Sequence, residues 1–162
     1  MSLRVGNGFD IHRFSDDPSR PLVLGGVVVP EAPGLDGHSD ADVIAHAVAD
    51  ALLGASGLGD LGRLFPDTDE QWRGADSIEL LAEVVRRVHA AGWVVLNADC
   101  SVIAERPRLA PLRDRMEARL SSTVDAPVTI KGRRAEGIGG LGRAEGIACL
   151  ASVLIRERGV NS

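Results

Sequence analysis

Aromatic residues and cysteines are scarce in this chain of 162 residues, which has no tyrosine, three phenylalanines, two tryptophans and two cysteines. Two cysteines exclude a disulfide-stapled scaffold, and Cys100 and Cys149 both lie in apolar runs typical of reduced core thiols. No apolar run approaches the roughly 20 residues of a membrane-spanning helix, and no apolar signal segment precedes Arg4. These absences predict a cytoplasmic protein without a membrane anchor.

A surplus of basic residues is absent as well. The chain carries 23 acidic and 18 basic side chains, a formal net charge of −5, which argues against nucleic-acid and membrane partners. Its 44% of hydrophobic residues is ordinary for a globular protein, and its length is typical of one domain with a full core. We therefore predict a single domain over residues 1–162.

The strongest local pattern is a helix within residues 37–54, which is expected to end near Gly54–Gly57. Ser39 is the expected N-cap, and Asp42 three residues later completes a capping-box-like pair. Apolar residues recur at helical spacing and predict one buried stripe, namely Val43, Ile44, Ala47, Val48, Ala51, Leu52 and Ala55. His46 lies on a neighbouring face four residues after Asp42, an unusual choice for a helix that only packs.

A second motif, Asp10-x-His12, lies in the first predicted strand, where both side chains point to the same face. Together with His46 it offers two imidazoles and one carboxylate, and catalytic zinc sites commonly use three such ligands and keep a fourth position open. The alternative is a surface pair at Asp10 and His12 and a buried, hydrogen-bonded His46. The spacing by itself leaves both interpretations open.

The remaining pattern alternates strands and helices. Strands are predicted over 3–12, 22–24, 27–29, 93–104, 127–131 and 146–155, although the pattern of the last run alone also allows a buried helix. Further helices are predicted from the cap Asp76 to Gly92 and from Pro107 onwards. In the strand 93–104, Val94, Leu96 and the following even-numbered residues are expected on one face. This order predicts an α/β (α+β) fold, a two-layer sandwich of a mixed sheet with helices.

Residues 57–76 show no sustained periodicity and carry several glycines and aspartates. A connection of this length is uncommon unless it is functional. The alternative is an irregular surface loop.

Four motifs, in order, resemble the 2-C-methyl-D-erythritol 2,4-cyclodiphosphate synthase family of the non-mevalonate isoprenoid (terpenoid) pathway. They are Gly-x-Gly-Phe-Asp-x-His at 6–12, the His-Ser-Asp-Ala-Asp-Val stretch at 38–55, the aspartate-rich segment at 58–77, and Gly-Arg-Ala-Glu-Gly-Ile-Ala-Cys at 142–149. The resemblance covers nearly the whole chain. It implies a cytoplasmic bacterial lyase that converts 4-diphosphocytidyl-2-C-methyl-D-erythritol 2-phosphate to 2-C-methyl-D-erythritol 2,4-cyclodiphosphate and CMP. It also implies a homotrimer, with the helices on one sheet face and the other faces packed together around an axis.

The resemblance further implies roles for individual residues. Asp10, His12 and His46 match zinc ligands that meet a substrate phosphate, and Glu136 matches the holder of a second divalent ion, Mg²⁺ or Mn²⁺. His38 and Ser39 match a mobile pair that closes on the erythritol phosphate. The catalytic residues are thus expected to be His38, Arg134 and Glu136.

Further segments match substrate-binding regions of the family. The erythritol wall is expected at Asp60, Leu61, Gly62, Phe65, Pro66, Asp67, Thr68 and Asp69. The cytidine pocket, supplied by the neighbouring subunit, is expected at Ala104, Glu105, Arg106, Pro107, Arg108, Leu109 and Ala110. Phosphate contacts are expected at Lys131, Arg133, Arg134, Ala135 and Glu136. Gly140 and Arg143 match residues near the trimer axis, where the family often holds an isoprenoid diphosphate; an intersubunit salt bridge of Arg143 with Glu145 is the alternative.

The chain departs from the family in one segment. Arg133, Arg134 and Ala135 stand where the family has three threonines, and Gly140 replaces an aromatic residue. The threonine at the position of Arg134 is expected to donate a hydrogen bond to the diphosphate. We therefore predict intact zinc and cytidine binding but impaired cyclisation. The alternatives are that Arg134 takes over the phosphate contact, that it pairs with Glu136 and competes with the second metal, or that it is too long for the space.

Two other functions compete with the cyclase. A zinc-dependent nucleotide phosphohydrolase would direct a water molecule at the same metal. A catalytically impaired trimeric homologue would only bind nucleotide or isoprenoid.

Overall fold

A computed structural model describes residues 2–159 of the chain. The strands are β1 (Leu3–Arg13), β2 (Pro21–Leu24), β3 (Val27–Pro33), β4 (Trp93–Ile103), β5 (Val128–Arg133) and β6 (Gly146–Glu157). The helices are α1 (Val43–Ser56), α2 (Leu61–Leu64), α3 (Ser77–Ala90), α4 (Arg113–Val124) and α5 (Gly139–Gly142), with a 3₁₀ turn at Glu70–Trp72. Within 2–159, no helix is both long enough and apolar enough to cross a membrane.

The sheet has four strands in the order β1-β6-β4-β5, and β2 and β3 form a separate hairpin. β6 pairs antiparallel with β1 and β4, whereas β4 and β5 are parallel, so the sheet is mixed. Helix α1 packs on β1 and β6, α4 packs on β5, and α3 lies between the two helices. The predicted α/β architecture is confirmed, and the run after residue 146 is a strand.

Helix α1 lies unusually close to β1 because the strand presents glycines to it. A Cβ atom at Gly6 would lie 2.1 Å from the carbonyl oxygen of Ala51, and one at Gly8 would lie 2.0 Å from that of Ala47. Only glycine allows backbone to approach backbone in this way. The close approach brings His46 of α1 over the end of β1 that carries Asp10.

On the opposite sheet face, the part formed by β1 is largely apolar and is exposed within residues 2–159. Leu3, Val5, Phe9 and Ile11, alternate residues of β1, are each at least 51% exposed, and Leu150 of β6 pairs with Phe9 beside them. An exposed apolar face of this kind marks an interaction surface.

The N-terminus of α1 differs from the prediction. Asp42, not Ser39, is the N-cap, and its side chain accepts hydrogen bonds from the backbone N–H groups of Ile44 and Ala45. The same carboxylate accepts from Gly25 at 2.9 Å and Gly26 at 2.7 Å, the turn of the β2–β3 hairpin. The contact with the hairpin therefore favours Asp42 as the N-cap. A local capping pattern cannot reveal this tertiary contact. Burial raises the pKa of Asp42 to about 6, against the opposing effect of these N–H donors.

Strand β4 contains a bulge that reverses the predicted faces at its start. Its register with β6 shifts by one residue between Val95 and Asn97, which leaves Leu96 as the extra residue. Trp93 and Val95 are therefore buried, whereas Val94 and Leu96, expected in the core, are only partly covered. After the bulge the even-numbered residues face the core as predicted.

Helix α4 begins at Arg113 and not at Pro107. A second proline, Pro111, disfavours a helical conformation at Ala110, so the helix starts only beyond it. The segment 104–112 instead folds as a loop beside the ends of β4 and β5, where it lines a cavity.

Candidate active site

Three predicted metal ligands converge where β1 meets α1. Asp10 Oδ2 lies 3.1 Å from His12 Nε2 and 3.0 Å from His46 Nδ1. One ligand atom from each residue lies within 4.8 Å of the others, which is close enough for all three to bind one ion. The glycines of β1 and the buried stripe of α1 fix this geometry.

Hydrogen bonds on the outer side of both rings assign their tautomers. His12 Nδ1 lies 2.6 Å from the carbonyl oxygen of Asp36, which can only accept, so Nδ1 carries the proton. His46 Nε2 lies 2.9 Å from Ser77 Oγ, whose own proton is donated to Asp40, so Nε2 is also the donor. Each ring therefore keeps its other nitrogen towards Asp10, where it can share a proton with the carboxylate or offer a lone pair to a metal ion, as metal-binding histidines do.

This donor set fits a divalent cation. Two imidazole lone pairs and a carboxylate meet at one point, and only a positive charge between them stabilises that arrangement. Burial raises the pKa of Asp10, but hydrogen bonds from both histidines outweigh it and hold the pKa well below its usual range. Burial lowers the pKa of His12, yet its hydrogen bond to Asp10 prevails and raises the pKa. Hydrogen bonding to Asp10 therefore makes the His12 imidazole hold its proton more strongly than a free imidazole does.

The cluster opens into a cavity of about 520 Å³, here called the metal cavity. Its lining comprises Asp10, His12, Gly37, His38, Ser39, His46, Leu61, Gly62, Phe65, Pro66, Asp67, Trp72 and Leu80. His38 Nε2 lies 3.0 Å from the carbonyl oxygen of Asp69, which ties one rim to the other. Phe65 and Trp72 stack edge to face at 4.9 Å and form the apolar part of the wall.

A second cavity, of about 350 Å³, is here called the arginine pocket. It is lined by Val102, Ala104, Glu105, Pro107, Arg108, Leu109, Ala110, Arg113, Gly132, Arg133 and Arg134. Four arginines and one glutamate give the pocket a net positive charge, which suits an anionic ligand.

Arg134 pairs with Glu105 and not with Glu136. Its Nε and Nη2 lie 3.1 and 2.9 Å from Glu105 Oε2, and the N–H of Gly137 lies 3.4 Å from Oε1. The hydrogen bond from Arg134 lowers the pKa of Glu105, so this ion pair persists at neutral pH. Glu136 is exposed and adopts a left-handed backbone conformation with φ of 53°.

The two cavities lie on opposite edges of the sheet. Asp10 and His12 belong to edge strand β1, whereas Arg133 ends edge strand β5. Three strand spacings separate these edges, about 14 Å. The two linings share no residue.

Comparisons with known proteins agree with this geometry. The model of the YgbB family matches residues 3–156. The chain belongs to the YgbB family. A 2-C-methyl-D-erythritol 2,4-cyclodiphosphate synthase of Laribacter hongkongensis is 51% identical over 98% of both chains. The synthase of Salinibacter ruber is 51% identical over 96% of this chain and 99% of its own. A solved Plasmodium falciparum structure, described as an IspF CDP complex, superposes with a TM-score of 0.84 at 29% identity, covering 98% of each chain.

Most of the residues that the family resemblance assigns to the erythritol moiety and its phosphate line the metal cavity. His38, Ser39, Leu61, Gly62, Phe65, Pro66 and Asp67 line it, whereas Asp60, Thr68 and Asp69 do not. Asp60 instead caps α2 through the N–H of Arg63, and Asp69 caps the 3₁₀ turn through that of Gln71.

The other assigned segments are divided in the same way. Of residues 104–110, all but the exposed Arg106 line the arginine pocket, together with Arg133 and Arg134. Ala135 and Glu136 lie beyond that lining, and Lys131 pairs with Asp99. Gly140 lines a third cavity of about 280 Å³ near Ile11.

Arg143 forms a salt bridge with Glu145 of its own chain, whereas the predicted alternative was a salt bridge between subunits. Its Nε lies 2.6 Å from Glu145 Oε1. The salt bridge therefore needs no neighbouring subunit.

Sequence reasoning missed several polar residues that hold the YgbB-family site together. Ser77 belongs to a family motif and Asp40 to the predicted helix start, but neither pattern predicts a role for these residues at the metal site. No sequence motif pointed to Arg20. Its guanidinium donates to the carbonyl oxygens of Leu35 and Ser39 and so holds the rim of the metal cavity in place.

Proposed function

We propose that this chain is the lyase that cyclises 4-diphosphocytidyl-2-C-methyl-D-erythritol 2-phosphate and releases CMP in isoprenoid biosynthesis. The observation that carries the proposal is the convergence of Asp10, His12 and His46 in a chain about half identical to named synthases over its whole length. Named relatives that match from end to end make the hydrolase alternative the weaker one. The chain is thus a metal-dependent enzyme of terpenoid synthesis.

The reaction needs positioning more than covalent chemistry. A 2-phosphate oxygen attacks the β-phosphorus, the bond from that phosphorus to the CMP oxygen breaks, and CMP leaves with the bonding electrons. Zinc at Asp10, His12 and His46, with Mg²⁺ or Mn²⁺ at Glu136, would supply the positive charge that the phosphates require. Two imidazoles and a carboxylate suit zinc, whereas a lone carboxylate with phosphate oxygens and waters suits magnesium.

His38 and Ser39 are the groups proposed to hold the erythritol phosphate. Both line the metal cavity, and the Ser39 hydroxyl accepts from the N–H of Ala41 at 3.2 Å. That contact leaves the hydroxyl proton available for a phosphate oxygen. Leu61, Phe65 and their neighbours would then exclude water from the erythritol carbon chain.

The arginine pocket is the proposed cytidine site, and a neighbouring subunit is proposed to supply it. A CDP complex of a related structure supports a cytidine ligand. Within one chain the pocket and the metal cavity lie at opposite sheet edges, about 14 Å apart. A homotrimer packed through the apolar face of Leu3, Val5, Phe9 and Ile11 would bring one chain's pocket to another's metal. An isoprenoid diphosphate on that axis, at Gly140 and Arg143, is a prediction of the resemblance alone.

Phosphorus NMR with the authentic substrate tests the proposal. Enzyme loaded with zinc and magnesium should convert the three phosphate signals into those of a cyclic diphosphate and CMP, and chelator-treated enzyme should not until metal returns. Two phosphomonoester signals of a 2,4-bisphosphate, without a P–O–P linkage, together with CMP would instead identify the hydrolase. CDP binding without any product would identify the impaired homologue.

A further inference from the structure

A partly buried series of hydrogen-bonded side chains links the metal cluster to the start of α3. His46 Nε2 donates to Ser77 Oγ at 2.9 Å, and Ser77 Oγ donates to Asp40 Oδ1. We propose that Ser77 and Asp40 are positioning residues that hold the His46 ring for metal, and that this leaves Ser39 free to serve the substrate. The inference rests on the metal site of the proposed function.

Asp40 fixes the direction of the hydrogen bonds that join His46, Ser77 and Asp40. Its carboxylate accepts from the N–H of Ser77 at 3.1 Å, from the N–H of Asp42 at 3.1 Å and from the Ser77 hydroxyl. Since a carboxylate only accepts, the single proton of the Ser77 hydroxyl is committed to it. Ser77 Oγ can therefore only accept from His46, which keeps the ligand lone pair on Nδ1.

Ser77 is held rigidly. It is 1% exposed and is the first residue of α3, whose N-cap Asp76 accepts from the N–H of Ile78 at 2.8 Å. The N–H of Asp40 in turn donates to the carbonyl oxygen of Ala75 at 3.1 Å. Such outer partners typically change metal affinity by 10- to 100-fold when they are removed.

Ser39 contacts the same nitrogen but plays a different part. Its Oγ lies 3.1 Å from His46 Nε2 and 3.4 Å from Ser77 Oγ. One N–H cannot make two full hydrogen bonds. The contact with Ser77 is the shorter one, and the Ser77 hydroxyl is in turn bonded to the Asp40 carboxylate. Ser39 can thus turn towards a phosphate in the metal cavity while Ser77 keeps His46 oriented. The two serines divide the positioning of the metal ligand and the binding of substrate between them.

The test is zinc affinity of the metal-free protein, measured by competition with a chromophoric chelator. Ser77→Ala and Asp40→Asn should each weaken zinc binding by about 10- to 100-fold. Ser39→Ala should change zinc affinity less than about threefold and instead raise the KM for substrate. Ser77→Thr, which keeps the hydroxyl, should restore affinity. Ser56→Ala is the matched control, because Ser56 is also buried but donates to Leu52 at the far end of α1.

Visible spectra of the cobalt-substituted variants give a second readout of ligand geometry. A shifted d–d band in Ser77→Ala, with an unshifted band in Ser39→Ala, supports the division of roles. Parental zinc affinity in both Ser77→Ala and Asp40→Asn would overturn the proposal, as would a loss in Ser39→Ala equal to that in Ser77→Ala. If Ser77→Ala does not fold, Asp40→Asn alone decides. These affinities do not depend on the reaction product, so failure of the cyclase assignment would be seen separately by phosphorus NMR.

Discussion

The metal cavity and the arginine pocket hold their charged groups in opposite ways. In the metal cavity, both histidine rings are fixed on their outer sides by a carbonyl or a buried hydroxyl, and the ligand atoms already converge. In the arginine pocket, the Arg134 side chain is 69% exposed and held by a single carboxylate at the end of a loop. One region is preorganised by a hydrogen bond on the outer side of each histidine ring, whereas the other relies on an ion pair that water and salt weaken.

This difference separates what the fold dictates from what the chain can vary. A metal ligand that moves by about an ångström loses its ion, so the packing of β1 against α1 must hold the ligand atoms in fixed positions. An exposed arginine contributes little to stability and can exchange Glu105 for a phosphate at small cost. Two of the four departures from the family, Arg133 and Arg134, line the arginine pocket, and none of the four lines the metal cavity.

Removing a ligand from the metal cavity should have the largest effect. His46→Ala is expected to lose zinc and to lower kcat/KM by at least about 10³-fold, because the loss exceeds that of one hydrogen-bond donor. Elemental analysis and circular dichroism should show a folded, zinc-free protein. His89→Ala on α3 is the control and should retain both zinc and activity. Full zinc occupancy in His46→Ala would refute the ligand assignment.

Pushing α1 away from β1 should have the next largest effect. Gly8→Ala places a Cβ 2.0 Å from the carbonyl oxygen of Ala47 and should cost about 2–3 kcal/mol of unfolding free energy as well as metal affinity. The control is Gly54→Ala in α1, because a Cβ atom at Gly54 would have no neighbouring atom within 4 Å. It should stabilise the protein by about 0.5–1 kcal/mol. Urea midpoints at one protein concentration measure both, and equal midpoints would contradict the close-approach argument.

The buried cap of α1 should make stability depend on pH. Burial raises the pKa of Asp42 to about 6, above its ordinary 3.8, so the folded state binds more protons between these values. The group's contribution to stability is therefore present below pH 4 and lost as pH rises through 6, by about 3 kcal/mol. In urea titrations, Asp42→Asn should flatten this decline relative to the parent, whereas the exposed Asp16→Asn should not. An unchanged slope in Asp42→Asn would assign the decline to another group.

The smallest effect is expected in the arginine pocket. Glu105 holds the Arg134 guanidinium, so Arg134→Thr should restore a short hydroxyl donor and raise kcat about tenfold, with zinc and CDP binding retained. Arg133→Thr is the matched control, because the Arg133 guanidinium donates only to the adjacent carbonyl oxygen of Gly132, at 3.1 Å. A tenfold fall in kcat would show that Arg134 has taken over the phosphate contact.

The sequence predicted the parts of the fold that depend on local patterns. The alternating strand and the helical histidine suggested the metal triad, which the family resemblance then favoured over a surface pair, and the Gly25-Gly26 turn predicted the hairpin. The sequence also predicted α3, because Asp76 is a clear N-cap that a strong apolar stripe follows.

The errors have tertiary causes. Ser39, Asp40 and Asp42 are all good N-caps, and the choice among them depends on hairpin N–H groups that local spacing does not reveal. The bulge at Leu96 depends on the register with β6. The partnership of Ser77 with His46 joins residues 31 positions apart, so no motif encodes it.

Mixing two inactive variants tests the central claim, that one active site combines a metal cavity with the arginine pocket of a neighbour. His46→Ala removes the metal, and Gly132→Leu fills the pocket beside Leu109, where a Cβ has ordinary contacts at 3.7 Å. In equal mixtures of exchanging trimers, about one quarter of the sites pair an intact metal cavity with an intact pocket, so about one quarter of parental activity should return. If native mass spectrometry shows mixed trimers and no activity returns, the shared-site account is wrong.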